Sequence, residues 1–378
     1  MPMNTDIQQL LIKLVAIPSG YPHEKEISEY IYSFFLKKNC RVTKQLVEKD
    51  RYNILVEKGS SKKSILLYTH LDTVGIANGW MTDPYTLNIK GDRAYGLGAW
   101  DMKAGMVASI ISFLNSSPKN IKLKMAFCID EENISKGGFK LINSSFMEDV
   151  VNVISTEPAF ANGNQGIVVG RIGRAVYTVS IRGQSKHYAF YEPSCDINYV
   201  LSEFIQSLKK MYKKNGDKKQ FVFVRKIESK TTGMSLPEQI MCELDSAVLP
   251  PLTHVKLLAK LKGVAARIER KYGNKISVDI NLKQRESPFL EPYVVSPRDT
   301  HLSLMKKSIR EATGKKAVPY FRSSVADENI FGSHKISTLG IGPVGGNAHS
   351  CNEWVSLQSV SKICEILTTY IRLVDLAP

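Results

Sequence analysis

The chain has 378 residues, 43% hydrophobic and 23% charged, which excludes a disordered chain or a small disulfide scaffold and leaves room for two domains. No apolar run approaches the roughly 20 residues that span a bilayer, and the start, MPMNTDIQQLLIKLVAIPSG, lacks the basic region and long apolar stretch of a signal peptide, so a cytoplasmic protein is expected. Lys and Arg outnumber Asp and Glu by 51 to 36, a net charge of +15, but no zinc-finger spacing, RNP-like strand or Arg-rich tail accompanies the excess.

In chain order, residues 5–17 and 24–38 carry apolar residues at helical spacing on either side of a PSGYP break. Short β-branched or apolar runs follow at 53–58, 64–70, 123–130 and 149–156, with helical stretches at 103–115 and 136–146 between them. Strands alternating with helices predict an α/β layer with a mostly parallel sheet. Near Gly170 the texture changes. Alternating strands at 175–183, 220–227, 241–248 and 275–283 enclose helices at 196–214 and 254–272, the pattern of a smaller α+β domain. Helix 300–313, a buried strand at 335–342 and an amphipathic helix at 357–374 return to the first texture, so the small domain is inserted in the large one. The cluster Lys209, Lys210, Lys213, Lys214, Lys218, Lys219, Arg225 and Lys226 reads as a solvated helix end and turn; neither a specific nucleic acid nor a membrane is expected as partner. Six scattered cysteines without a C-x-x-C pair read as reduced thiols.

Acidic and imidazole residues gather just after the apolar runs. SILLYT is followed by His70-Leu71-Asp72, LKMAFCI by Asp130-Glu131-Glu132, VNVIST by Glu157 and ISTLGIGPVGGNA by His349. In an open α/β sheet, sites collect at the carboxyl ends of strands. Asp101 adds a further acid between a Gly-rich turn and a helix start. Two His and several carboxylates are a ligand set for zinc or another divalent transition metal.

His70-Leu71-Asp72-Thr73-Val74, Gly96 to Lys103, Asp130-Glu131-Glu132, Glu157-Pro158 and Ala348-His349-Ser350-Cys351-Asn352-Glu353 together resemble the motifs of the M20 metallopeptidase family, in order and over nearly the whole chain. That family includes acetylornithine deacetylase, succinyl-diaminopimelate desuccinylase, aminoacylase and glutamate carboxypeptidase. The resemblance implies two divalent ions, zinc first and cobalt or manganese as alternatives. His70, Asp101 and Glu157 would hold one; Glu132, His349 and the shared Asp101 would hold the other. Asp72 would accept the second imidazole N–H of His70. Glu131 would be the general base, activating a water between the ions and returning its proton to the leaving amine. His187, in Gly183-Gln184-Ser185-Lys186-His187, matches the family histidine that stabilises the oxyanion.

The resemblance further implies a catalytic domain of residues 1–172 and 287–378, a mostly parallel mixed sheet flanked by helices. The inserted ferredoxin-like α+β domain, residues 173–286, would serve as lid and dimerisation domain of a homodimer. The expected reaction is hydrolysis of the amide bond of an N-acyl amino acid. A dipeptidase or carboxypeptidase with the same dinuclear centre is the alternative, and a non-catalytic binding protein is a remote one. The chain departs from the family where substrate is bound: Leu97 stands in place of a frequent Arg, and Ser235 and Ala247 in place of an Asn and an Arg used near the substrate carboxylate. Arg322 and Lys186 are candidate substitutes.

Overall fold

The computed structural model describes residues 3–161, 164–216 and 218–377. They form two compact units, Met1–Gly170 with Val295–Phe321 and Ala326–Pro378, and Arg171–Val294 with Arg322–Val325.

In the first unit, strands Lys122–Cys128, Ser64–His70, Val150–Ser155 and Ser337–Gly340 lie parallel in that order. Antiparallel strands Arg51–Lys58 and Arg41–Glu48 extend the sheet on one side, and Asn164–Arg171 on the other. Every residue of Ser64–His70 is buried, which is why this central strand shows as an unbroken apolar run rather than an alternating one. The sheet is covered on both faces. Tyr68, Ala126, Cys128 and Val153 pack with Leu141 and Phe331 of two short helices, Lys136–Ile142 and Glu328–Ser333. Phe127, on the opposite face, meets Phe35 of helix Lys25–Lys37, whose ring stands edge-on to Phe113 of helix Ala104–Asn115. Register opposes His70 to Cys128, Tyr68 to Ser155 and Gly340 to Ser155. The carboxyl ends of all four parallel strands thereby fall within two residues of one another.

The second unit is an antiparallel sheet in the order Lys213–Asn215, Lys218–Lys230, Gln239–Val248, Gly173–Arg182 and Ser277–Leu282. Alternate residues Ala175, Tyr177, Val179 and Ile181 enter one core with Val200, Phe204, Leu257, Leu261 and Val264 of helices Ile197–Lys209 and His254–Tyr272. Both helices therefore pack on a single face of this sheet.

Several elements differ from expectation, among them helix Glu328–Ser333 and strand Val318–Arg322, which no sequence pattern announced. The helix expected to run to residue 214 ends at Lys209, and Lys213–Asn215 turns into a hairpin strand against Lys218–Gln220. Adjacent lysines weaken a helix end less than they suit an exposed edge, where each ammonium stays in water. Strand Arg41–Glu48, half of it exposed and the rest only partly buried, is not expected from the sequence because no residue of it enters the core. Nor is a small sheet made of Asn88–Lys90, Arg93–Tyr95, Gly345–Gly346 and Trp354–Ser356. All six cysteines are free thiols. Among the described residues no helix is long and apolar enough to cross a membrane.

Candidate metal centre

His70 closes its strand with a fully buried ring. Its Nδ1 lies 2.9 Å from the main-chain oxygen of Asp72. A carbonyl only accepts, so Nδ1 carries a proton and Nε2 is the nitrogen that can take up a cation, proton or metal. Nε2 faces Glu157 Oε1 at 3.0 Å and Asp101 Oδ1 at 3.5 Å. These three atoms are buried without a hydrogen-bond partner. Burial works against a charged imidazole, but Asp101, Asp72 and Glu157 outweigh it and push the His70 pKa well above the ordinary value. Positive charge at this point is strongly favoured.

A second group forms around the other oxygen of Asp101. Oδ2 lies 3.4 Å from His349 Nε2, which is 2.9 Å from Glu132 Oε1. Asp101 and Glu132 raise His349 to about 10 against the opposing effect of burial. Burial alone would raise Asp101, but the facing imidazoles of His349 and His70 outweigh it and hold it well below the usual carboxylate range. Glu132 is raised by burial, partly offset by His349. The His349 side chain is 52% exposed, against 11% or less for His70, Asp101, Glu132 and Glu157. His349 therefore stands at the solvent edge of the group.

The turns that aim these groups follow from local sequence. Gly98 has φ +71°, and Asp101 sits in the tight turn Ala99–Lys103 before helix Ala104–Asn115 begins. Asp130 has φ +71°, a conformation that Asp tolerates because its carboxylate can serve nearby backbone. It accepts the Lys136 N–H at 3.0 Å and an Arg51 N–H at 3.1 Å, and Arg51 is itself held by the buried Glu24 at 2.5 Å. Asn347, His349 and Asn352 are all left-handed, with φ of +61°, +59° and +56°. For His349 that conformation costs energy, and it is the kind of strain that surrounding structure retains where a side chain must be aimed.

Three overlapping sets of ligand atoms result: His70, Asp101 and Glu157; Asp101, Glu132 and His349; and His70, Glu131 and Glu132, the atoms of each within 4.8 Å of one another. Oxygen and imidazole donors around buried, uncompensated negative charge fit divalent transition-metal ions. All five residues expected as ligands are in these sets.

Glu131 Oε1 accepts the main-chain N–H of Asp327 at 3.2 Å. Burial, then the neighbouring Glu157, push the Glu131 pKa well above the ordinary carboxylate range, the direction a proton-transferring carboxylate needs. The Asp327 carboxylate is buried and accepts the Tyr68 hydroxyl at 2.5 Å. Asp72 differs from expectation in its contact. Its carbonyl, not its carboxylate, sits nearest the His70 ring, with Oδ1 at 3.6 Å. The carboxylate instead accepts the N–H groups of Glu131 and Glu132. His187 is not among the clustered atoms. It lies in the second unit at an exposed turn, where Nδ1 accepts the Ala189 N–H at 3.3 Å and its main chain bridges to Ser235.

Of the residues weighed for the substrate carboxylate, Leu97 and Ala247 are buried. The neighbouring Asp245 pairs with Arg174 at 2.7 Å, and Lys186 lies 3.6 Å from Glu192. Arg322 is the last residue of strand Val318–Arg322. The sequence did not single out Tyr68, Asp327 or Arg51. Glu353 was legible only as the end of a motif.

Residues 66–373 match the family model described as Peptidase family M20/M25/M40. The chain is similar to a probable succinyl-diaminopimelate desuccinylase of Staphylococcus aureus (strain MRSA252), 26% identical over 56% of this chain and 53% of that protein, so the match spans about half the length of that relative. The succinyl-diaminopimelate desuccinylase of Sulfurovum sp. (strain NBC37-1) is 22% identical over 97% of this chain and 98% of its own. The fold is that of aminopeptidase PepT from Bacillus cereus ATCC 10987, with a TM-score of 0.79 at 18% identity, covering 98% of each chain.

Proposed function

Because the chain belongs to peptidase family M20/M25/M40, metallohydrolases acting on amide or peptide bonds, we propose that it removes the acyl group from an N-acyl amino acid. One observation carries the metal reading: the two oxygens of Asp101 face different imidazoles, Oδ1 toward His70 and Oδ2 toward His349. A carboxylate so placed could contribute one oxygen to each of two cations. His70, Asp101 and Glu157 would hold one divalent ion, and Asp101, Glu132 and His349 the other, with zinc suited to this imidazole and carboxylate set. Such a pair lowers the pKa of water and polarises a substrate carbonyl.

The protein's own groups do the rest. Glu131 takes a proton from the attacking water on its carboxylate and returns it to the leaving amine. The Asp327 N–H orients that carboxylate at Oε1. Because Nδ1 of His187 accepts from Ala189, its Nε2 carries the proton and can donate to the carbonyl oxygen as negative charge develops there. Residues 1–172 with 287–378 act in this reading as the metal-binding body, and 173–286 as an inserted lid. Strand Ser277–Leu282 has one sheet neighbour among the described residues, Gly173–Arg182. An edge of this kind supports pairing of two copies into a homodimer. Alignment with a desuccinylase over nearly the full length of both chains supports deacylation over peptide cleavage.

The test is a panel of N-acetyl and N-succinyl amino acids and of dipeptides, assayed with metal-free protein reloaded with zinc, cobalt or manganese. Acyl amino acids should be cleaved, a chelator should abolish turnover, and Asp101→Ala should abolish it too while losing both ions. Cleavage of dipeptides alone would replace the deacylase reading with a peptidase. Full activity after exhaustive metal removal would end both.

A further inference from the structure

Glu353 belongs to none of the ligand sets, yet one loop of the centre is wrapped around it. Its Oε2 accepts the main-chain N–H of Gly98 at 2.8 Å, and its Oε1 accepts those of Trp100 and Asp101, each at 2.8 Å. Its own main-chain oxygen accepts the Gly96 N–H at 3.1 Å. The residue is 1% exposed. An anion in such a place is tolerated only where donors surround it. Here the donors are three amides of one turn, which at Gly98 has no room for a side chain: a Cβ there would stand 2.5 Å from Thr73 Cγ2.

The same carboxylate stands at the junction of two ligand-bearing segments. On one side is Asp101, whose own N–H it accepts. On the other is His349, four residues earlier in the chain, in a loop bounded by Gly345–Gly346 and Trp354–Ser356, which pair with each other. Trp354–Ser356 also pairs with Arg93–Tyr95, just before the glycine turn, and the Trp100 indole N–H reaches the Pro343 oxygen at 2.8 Å. We propose that Glu353 is a positioning residue for the metal centre: by gathering the amides of Gly98, Trp100 and Asp101 it fixes where Asp101 points and ties that loop to the segment presenting His349. The inference rests on the two-ion reading above. Glu353 touches neither ion nor substrate; it sets the separation of two ligands that share one ion.

The experiment titrates metal-free wild type, Glu353→Asp and Glu353→Gln with cobalt(II), read by visible d–d absorption, with near-ultraviolet circular dichroism reporting the metal-free fold. Glu353→Asp keeps the charge and loses one methylene of reach. Glu353→Gln keeps the reach and sets an amide N–H against the Gly98 N–H. The wild type should take up two equivalents. Both variants should keep the metal-free fold, bind cobalt about 10–100-fold more weakly, the usual cost of losing a partner that orients ligands, and give an altered d–d band. Wild-type affinity in Glu353→Asp overturns the proposal, because charge alone then explains any loss in Glu353→Gln. If Glu353→Asp does not fold, Glu353→Gln decides: weaker binding with a changed band supports the proposal, and a wild-type band overturns it. A wild type that takes up fewer than two equivalents overturns the two-ion reading and this inference with it.

Discussion

Asp72 Oδ2 accepts the main-chain N–H of Glu132 at 2.8 Å, and Oδ1 of the same carboxylate accepts that of Glu131 at 3.1 Å. A residue two positions past the proposed ligand His70 thus holds the turn that carries another proposed ligand, Glu132, and the proposed base, while its carbonyl faces the His70 ring. One side chain and one peptide group share the work of joining two strand ends.

This divides the effects of substitution. Asp72→Ala leaves two part-buried N–H groups without their acceptor, at up to about 1–3 kcal/mol each, and frees the Glu131–Glu132 turn, but it keeps the carbonyl that faces His70. Stability should fall by several kcal/mol and turnover by roughly 10–100-fold, with one ion retained at the His70 group. Thermal melting and metal analysis of the variant check this. Loss of both ions in a folded Asp72→Ala protein would contradict it.

Glu131 and Glu132 are adjacent but face different tasks, since Glu131 Oε1 is held by the Asp327 N–H while Glu132 Oε1 faces His349. Glu131→Gln keeps shape and cannot take a proton, so turnover should fall by at least the ~10²–10⁴ typical of a lost acid–base group while metal content survives. Glu132→Gln should instead empty one site. Metal analysis beside turnover distinguishes them, and the reverse pattern would exchange the two roles.

The positions of the chemistry were legible because parallel strands buried on both faces show as apolar runs, and the residue after each run sits at a sheet edge. His70, Glu131, Glu132 and Glu157 could be placed by that rule alone. What was not legible depended on main-chain partners. Whether the carbonyl or the carboxylate of Asp72 meets His70 is decided by backbone angles that no residue pattern encodes. Glu353 reads as one acid ending a motif, because its partners are amides of Gly98, Trp100 and Asp101, far away in the chain. Strand Arg41–Glu48 was missed for a different reason. Exposed at half its residues and only partly buried at the others, it carries no apolar alternation, and only its pairing with Arg51–Lys58 makes it a strand.

Away from the centre, Asp149 gives a stability prediction with a defined pH window. Its carboxylate accepts from Lys122 at 2.7 Å, from Ser64 at 2.9 Å and from Lys124, whose side chain is 3% exposed. Burial pushes Asp149 up, but these hydrogen bonds outweigh it and hold it at about 2, below its ordinary value of 3.8. A depressed carboxylate stabilises the fold above its unfolded pKa, and that stability is lost as pH falls through the folded one. The contribution, about 2 kcal/mol, should be complete above pH 4 and vanish near pH 2. Asp149→Asn strands the buried Lys124 and should cost about 3 kcal/mol or more at neutral pH. Urea unfolding at pH 7 and below pH 3 tests both statements: the gap between wild type and variant should narrow in acid, and a gap independent of pH would refute the assignment.

His187 offers the sharpest test of assembly. Its unit has helices on one face of the sheet only and an edge strand, Ser277–Leu282, with a single sheet neighbour among the described residues. His187 itself lies at an exposed turn with Nε2 left to donate. If two copies pair through this unit and each His187 serves the other copy's centre, then base and oxyanion donor of one site come from different chains. Glu131→Gln and His187→Ala proteins, each inactive alone, should then complement when mixed and allowed to exchange subunits. In the mixed dimer, the His187→Ala chain has an intact Glu131 and receives His187 from its partner, so that site carries neither lesion; the other site carries both. Acting within one chain, His187 would leave every site with one lesion and no activity would return. Turnover after mixing, with heterodimer verified by differential tagging, separates the two arrangements, and a fully active monomer would rule out the shared site altogether.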